Sequence, residues 1–249
     1  IYEGEMLGFI GQNGSGKTTL ALHLVGILKA TNPDAELSVG GLDLTQKGIT
    51  PRDVIPYANY VFQNPSDQII EVTVEEEIAY GPRTIGLPED EVRRRVEKEL
   101  KLFGLEDYRK EYCESLTRGQ RTCLAIASIF SLEPKLLVCD EPTTGLDYEG
   151  TVKMMDAIKK INEDGTTVII ITHNMRTIAE YTRRVVAMHQ GRVIMDGPTV
   201  EVFSKPEELK KTWLRPAQMA RLGQQLSDLG FPNDLLKLDD VYDLLREYV

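Results

Sequence analysis

The chain has 249 residues, 41% hydrophobic and 27% charged, long enough to bury a sizeable core in one large domain or in one domain with satellites. A formal net charge of −10 argues against a nucleic-acid partner, because such surfaces use clustered Lys and Arg to release phosphate counterions. No apolar run reaches the roughly 18 to 20 residues that cross a bilayer, and Cys113, Cys123 and Cys139 show no framework spacing, so a reducing cytosol is expected.

Glu5 to Ile10 reads as a short buried strand, a Gly-rich turn follows, and Thr18 to Leu28 carries good helix formers. From Thr31 to Pro56 the chain is polar and rich in Gly and Pro; Tyr60 to Phe62 then gives another brief strand and Gln63 to Gln68 a loop. Residues 72–130 are predicted to be helical: Val92, Val96, Leu100 and Phe103 recur at spacings of three and four, and Gly104 is placed to stop that helix. Arg93, Arg94 and Arg95 read as its solvated face. Leu136 to Asp140 is a buried strand, Val152 to Ile161 an amphipathic helix, Thr166 to Thr172 a β-branched strand, and Val185 to Met188 with Val193 to Met195 a hairpin turning at Gly191. Beyond Pro198 come short amphipathic helices such as Gln218 to Leu229 and Val241 to Tyr248. Strands alternating with helices imply a wound parallel sheet. The expected organisation is an α/β core from 1–71 and 131–200, a helical insert over 72–130 and a helical appendage over 201–249.

Gly11-Gln12-Asn13-Gly14-Ser15-Gly16-Lys17-Thr18 matches the phosphate-loop pattern G-x-x-x-x-G-K-[ST]. Its context between a strand and a helix carries more weight than its letters. The glycines let backbone N–H groups converge on a phosphate at the positive end of the helix, Lys17 neutralises β- and γ-oxygens, and the Thr18 hydroxyl is suited to Mg²⁺. A Gly-rich turn before an ordinary helix is the plain alternative. Downstream, Asp140 and Glu141 close a buried strand, where an unpaired charge is costly. Asp140 suits the outer shell of the Mg²⁺ held by Thr18, and Glu141 suits a general base orienting water. A strand simply ending in polar residues is the competing reading.

Three further features complete the order: Gln63 after one strand, Leu116-Thr117-Arg118-Gly119-Gln120 opening a helix, and His173 after another strand. With Asp140-Glu141-Pro142-Thr143 and Thr144-Gly145-Leu146-Asp147, they resemble the Q-loop, signature, Walker B, D-loop and switch histidine of ABC ATPases over roughly residues 1–200. The resemblance implies a P-loop NTPase fold with a helical subdomain, and Mg-ATP bound by Gly11, Asn13, Gly14, Ser15, Gly16, Lys17, Thr18 and Thr19. It also implies a second cassette stacked head to tail, whose nucleotide meets Thr117, Gly119, Gln120 and Asp147. Glu141, His173 and Gln63 are the implied catalytic residues, with Thr18, Gln63 and Asp140 around Mg²⁺.

Two departures stand out. The usual Leu-Ser-Gly-Gly-Gln signature has Thr117 and Arg118 here in place of Ser and the first Gly. The aromatic residue that stacks on adenine in the family would fall before Ile1, and Tyr2 is too close to Lys17 to replace it, so the first strands are expected to be missing. Val61 to Gln68, Thr73 to Arg83 and Leu214 to Leu222 further resemble the ATPases of energy-coupling factor importers. That implies an integral-membrane coupling protein and a substrate-binding membrane protein as partners, uptake of a vitamin or metal ion, and a cytoplasmic position at the inner membrane face. Asp67 is expected to face the coupling protein. An ABC ATPase with a non-transport role, or an ATP-binding regulatory module with a degenerate signature, remain the alternatives.

Overall fold

The structure is a computed structural model that describes residues 1–63, 68–229, 231–232 and 234–247. Strand β1 (Met6–Gly11) leads into α1 (Lys17–Leu24), followed by two-residue strands β2 (Ser38–Val39) and β3 (Leu42–Asp43), the short α2 (Pro51–Val54) and β4 (Ala58–Val61). Helices α3 (Val74–Thr84), α4 (Glu89–Phe103) and α5 (Arg118–Phe130) precede β5 (Leu136–Asp140), α6 (Tyr148–Glu163) and β6 (Thr167–Ile171). Then come α7 (Met175–Tyr181), β7 (Arg184–His189), β8 (Arg192–Pro198), α8 (Thr199–Phe203), α9 (Pro206–Leu209), α10 (Gln218–Gln225) and α11 (Leu238–Glu247). The alternation of strands and helices is that of the expected α/β fold.

Two compact units divide the chain, one gathering Ile1, Glu5–Leu20 and Ile169–Val249, the other Tyr2–Gly4 and Ala21–Val168. In the first, β1 is buried at every position and pairs in parallel with β7, from Leu7 opposite Arg184 to Gly11 opposite Met188. A strand buried on both faces has no reason to alternate polar and apolar residues, which is why Met6 to Gly11 reads as a continuous apolar run. The antiparallel partner β8 closes the hairpin with a register irregularity at Ala187 and Met188. Its Asp196 accepts from Arg184 Nε at 2.7 Å, and the same guanidinium donates to Glu5 at 3.2 Å.

In the second unit β4 and β5 run parallel, with Val61 opposite Cys139. The helical insert forms its own core, in which Val74, Ile78, Val92, Val96, Leu100, Leu116 and Leu124 are buried together. Helix α4 has the expected face, and it stops where Gly104 takes a left-handed conformation (φ 64°) and donates to Leu100 O and Lys101 O. The cysteines are all free thiols; burial raises all three, Cys113 to about 11, which keeps them protonated and unreactive.

Inside that insert Glu99 is 1% exposed. Its Oε2 has no hydrogen-bond partner among the described residues, and its Oε1 lies 3.9 Å from Lys98 Nζ. Burial pushes the carboxyl up to about 7, with Glu133 and Asp164 adding to the rise and Lys98 and Arg95 opposing it. A raised folded-state value means that the protonated form favours folding. That stabilisation is complete below the ordinary carboxyl range and is lost as pH rises through about 7. Glu99→Gln should therefore stabilise the protein by up to about 3 kcal/mol above pH 7. Melting curves should show the variant's advantage widening by several degrees between pH 5.5 and pH 8; a gap that does not grow with pH would show that Glu99 is not the group responsible.

Candidate functional site

The phosphate loop lies wholly in the first unit, between β1 and α1. A Cβ on Gly11 would sit 2.3 Å from Met188 O and 2.7 Å from Ser15 Oγ, so the loop leaves the strand there only as glycine. Gly14 and Gly16 also take positive φ, 78° and 101°. The loop is fixed by Ser15 N donating to Gln12 O at 3.0 Å and by Gly191 N, from the β7–β8 turn, donating to Ser15 O at 2.9 Å. Lys17 Nζ arches over this ring, donating to Gly11 O at 2.8 Å and Gln12 O at 3.0 Å, while Asn13, Gly14, Thr18 and Thr19 are exposed. No acidic residue occupies the first turn of α1, so the helix dipole and Lys17 present one uninterrupted positive end. A cradle that a Cβ would fill, with a cation over it and a hydroxyl at its lip, fits a triphosphate and its Mg²⁺.

His173, in the same unit, is exposed just beyond β6. The next residue, Asn174, caps α7 by accepting from Arg176 N and Thr177 N, so the turn holding His173 is fixed from its C-terminal side.

The other predicted residues belong to the second unit. Asp140, at the end of the fully buried β5, accepts from Tyr60 Oη at 2.5 Å. Tyr60 was not expected to take part; it reaches Asp140 because β4 and β5 pair in register. Glu141 follows with φ 52°, a left-handed conformation that costs a non-Gly residue on the order of 1 kcal/mol or more. Turn hydrogen bonds hold it, with Thr144 N donating to Glu141 O at 3.1 Å and Leu146 N to Thr143 O at 3.2 Å. Asp147 then caps α6, its Oδ1 accepting from Gly150 N at 2.7 Å.

Thr117 and Gln120 form a capping box at the start of α5: Gln120 N donates to Thr117 Oγ1 at 3.3 Å and Thr117 N to Gln120 Oε1 at 2.9 Å. The hydroxyl assigned to a partner's nucleotide thus has a local role. Thr117 and Arg118 are exposed, and Gly119 is half-buried against Leu146. Gln63 is exposed, and the neighbouring Asn64, Pro65, Ser66 and Asp67 lie outside the described residues.

A cavity of about 480 Å³ opens in this unit between Ile69 to Val72 and Tyr112 to Glu114, with Arg121 on its wall. Around it Ile70 is 68%, Val72 60% and Tyr112 64% exposed, an apolar rim beside the carboxylates of Glu71 and Glu114. Among the described residues no helix is long and apolar enough to cross a membrane.

A sequence profile of the family described as "ABC transporter" matches residues 1–144. The chain is 43% identical over 244 residues to a putative ABC transporter ATP-binding protein of Methanosarcina acetivorans, covering 98% of this chain but 39% of that protein. It spans a similar two-fifths of further relatives described in the same words. It is 39% identical to the energy-coupling factor transporter ATP-binding protein EcfA1 of Caldanaerobacter subterraneus subsp. tengcongensis, covering 98% of this chain and 87% of that one. Among solved structures, cbiO1 from Clostridium perfringens, described as part of the ABC transporter complex cbiONQ, superposes with a TM-score of 0.74 at 34% identity, over 91% of this chain and 89% of that one.

Proposed function

The chain belongs to the ABC transporter family of ATP-binding proteins, and from that membership we propose that it hydrolyses Mg-ATP to drive an importer of the energy-coupling factor type. The observation that carries the hydrolytic part is the loop from Glu141 to Asp147. It sets a carboxylate in a strained conformation directly after the buried, hydrogen-bonded Asp140. Strain of that kind persists only where the surroundings enforce it, and it gathers at functional sites.

Lys17 and the loop amides would bind the β- and γ-phosphates, and Thr18, Gln63 and Asp140 are the residues that would hold Mg²⁺. Mg²⁺, when bound, neutralises the charge on the phosphate oxygens. Glu141 takes the proton of the attacking water at its carboxylate, and His173 donates to the γ-phosphate. The exposed start of α5 offers the amides of Arg118 and Gly119 to a nucleotide held by a second cassette, identical or paralogous. Hydrolysis per chain should then rise with protein concentration, or on adding a related cassette. A specific activity that stays flat from dilute to concentrated protein, with a related cassette also supplied, would contradict the composite site.

The transport half of the reading rests on the rim of Ile70, Val72 and Tyr112, which suits the apolar side of a helix, with Glu71 and Glu114 able to pair with its basic residues. We assign this groove to an integral-membrane coupling protein that works with a substrate-binding membrane protein at the cytoplasmic face; Asp67 belongs to the same proposal on sequence grounds. Ile70→Glu should leave basal ATP turnover of the isolated cassettes intact, while loss of one buried aliphatic contact weakens membrane-partner capture on the order of tenfold or more. Undiminished co-purification would remove the groove from the account.

A further inference from the structure

Arg118 occupies N1 of α5, where the helix dipole disfavours a cation, and its side chain makes no hydrogen bond or ion pair among the described residues. Instead its guanidinium occupies the place that a side chain on Gly145 would take. A Cβ built on Gly145 would stand 2.6 Å from Arg118 Cζ, 2.8 Å from Nη2 and 2.9 Å from Nε. Three atoms of one guanidinium at nearly equal distance from that point turn the face of the group toward the space a side chain would fill. Gly145 is suited to this twice over, since its φ of 81° is left-handed and its missing side chain leaves the space that the guanidinium fills. A second contact runs beside it: a Cβ on Gly119 would meet Leu146 Cδ2 at 3.5 Å, an ordinary van der Waals distance.

The loop under this contact begins at the strained Glu141 and ends at the α6 cap, Asp147. Between those ends it is held by two turn hydrogen bonds. We infer that Arg118 is a positioning residue that clips the Glu141–Asp147 loop to the start of the signature helix, so that a nucleotide drawing on that helix from a second cassette also sets the carboxylate of Glu141. The inference rests on the proposed function and gives a role to the arginine that replaces a glycine of the related signature. A planar guanidinium fills that space in a way that a Lys ammonium, a hydrated point charge, does not.

The test is a double-mutant cycle on the intact chain, with a second cassette supplied where pairing needs it, reading maximal turnover and the ATP concentration at half-maximum. Misplacing the base without altering the phosphate cradle should lower turnover in Arg118→Gly about tenfold, with half-saturation moved by less than about twofold. Gly145→Ala should lose a comparable factor because its methyl displaces the guanidinium. The cost of its left-handed backbone recurs in both backgrounds and cancels in the cycle. In the double variant the two losses should not multiply, since one contact is broken twice. Arg118→Lys should stay as slow as Arg118→Gly. Turnover at or above the wild-type rate in Arg118→Gly, recovery with Lys, or losses that multiply in the double variant would each overturn the clip while leaving hydrolysis in place. A wild-type chain that turns over no ATP beside any cassette would instead overturn the function on which the clip rests.

Discussion

Glu141→Gln should bind Mg-ATP with near wild-type affinity and hydrolyse it about 10²- to 10⁴-fold more slowly, the range expected when a general base is removed. The substitution keeps the size of the side chain and its capacity to accept a hydrogen bond from water, but not its capacity to take a proton. The binding groups are other side chains: Lys17 over the loop carbonyls, Thr18 at the head of α1, and Asp140 on its Tyr60 hydroxyl. Affinity and turnover should therefore separate in this variant. Near-normal phosphate release from the purified Glu141→Gln protein would remove Glu141 from the chemistry.

Lys17→Ala should fail earlier, at binding. Its ammonium already spans Gly11 O and Gln12 O, which sets it above the loop where it can turn to phosphate oxygens. Loss of a hydrogen bond to a charged group is worth about 1.5 to 3 kcal/mol, or roughly 10- to 150-fold in affinity. A titration with a fluorescent ATP analogue should show that loss, with the protein still folded in the absence of nucleotide. Unaltered affinity would mean that the cradle does not hold the triphosphate.

The parts of the site that could be read from the sequence are those where a local rule leaves one residue type. Gly11 is forced by the carbonyl of Met188 and the hydroxyl of Ser15, and a phosphate loop announces itself by such constraints. Strand β5 was found to the residue, because Leu136 to Asp140 is buried throughout. Helix α1 ends at Leu24 rather than Leu28 since Gly26 turns left-handed against Val54, a neighbour distant in the sequence. Helix α6 begins four residues earlier than expected because Asp147 caps it, and Asp147 had been assigned only to the nucleotide. The seven-residue α7 and the two-residue strands β2 and β3 went unread, being too short for a periodic signal. Tyr60 was missed for a different reason: its bond to Asp140 spans 80 positions and follows only from the pairing of β4 with β5. The contact of Arg118 with Gly145 is of the same kind. Each residue belongs to a recognisable motif, but nothing within either motif tells of the other.

The claim that the cassette acts as one of an ATP-gated pair is tested most directly by the molar mass of Glu141→Gln in solution, measured by light scattering with and without Mg-ATP and with a related cassette available. A slow base should trap the closed state, so a dimer is expected with Mg-ATP and a monomer without it, and adding Lys17→Ala to Glu141→Gln should abolish the shift. A chain that remains monomeric under every one of those conditions would contradict the account.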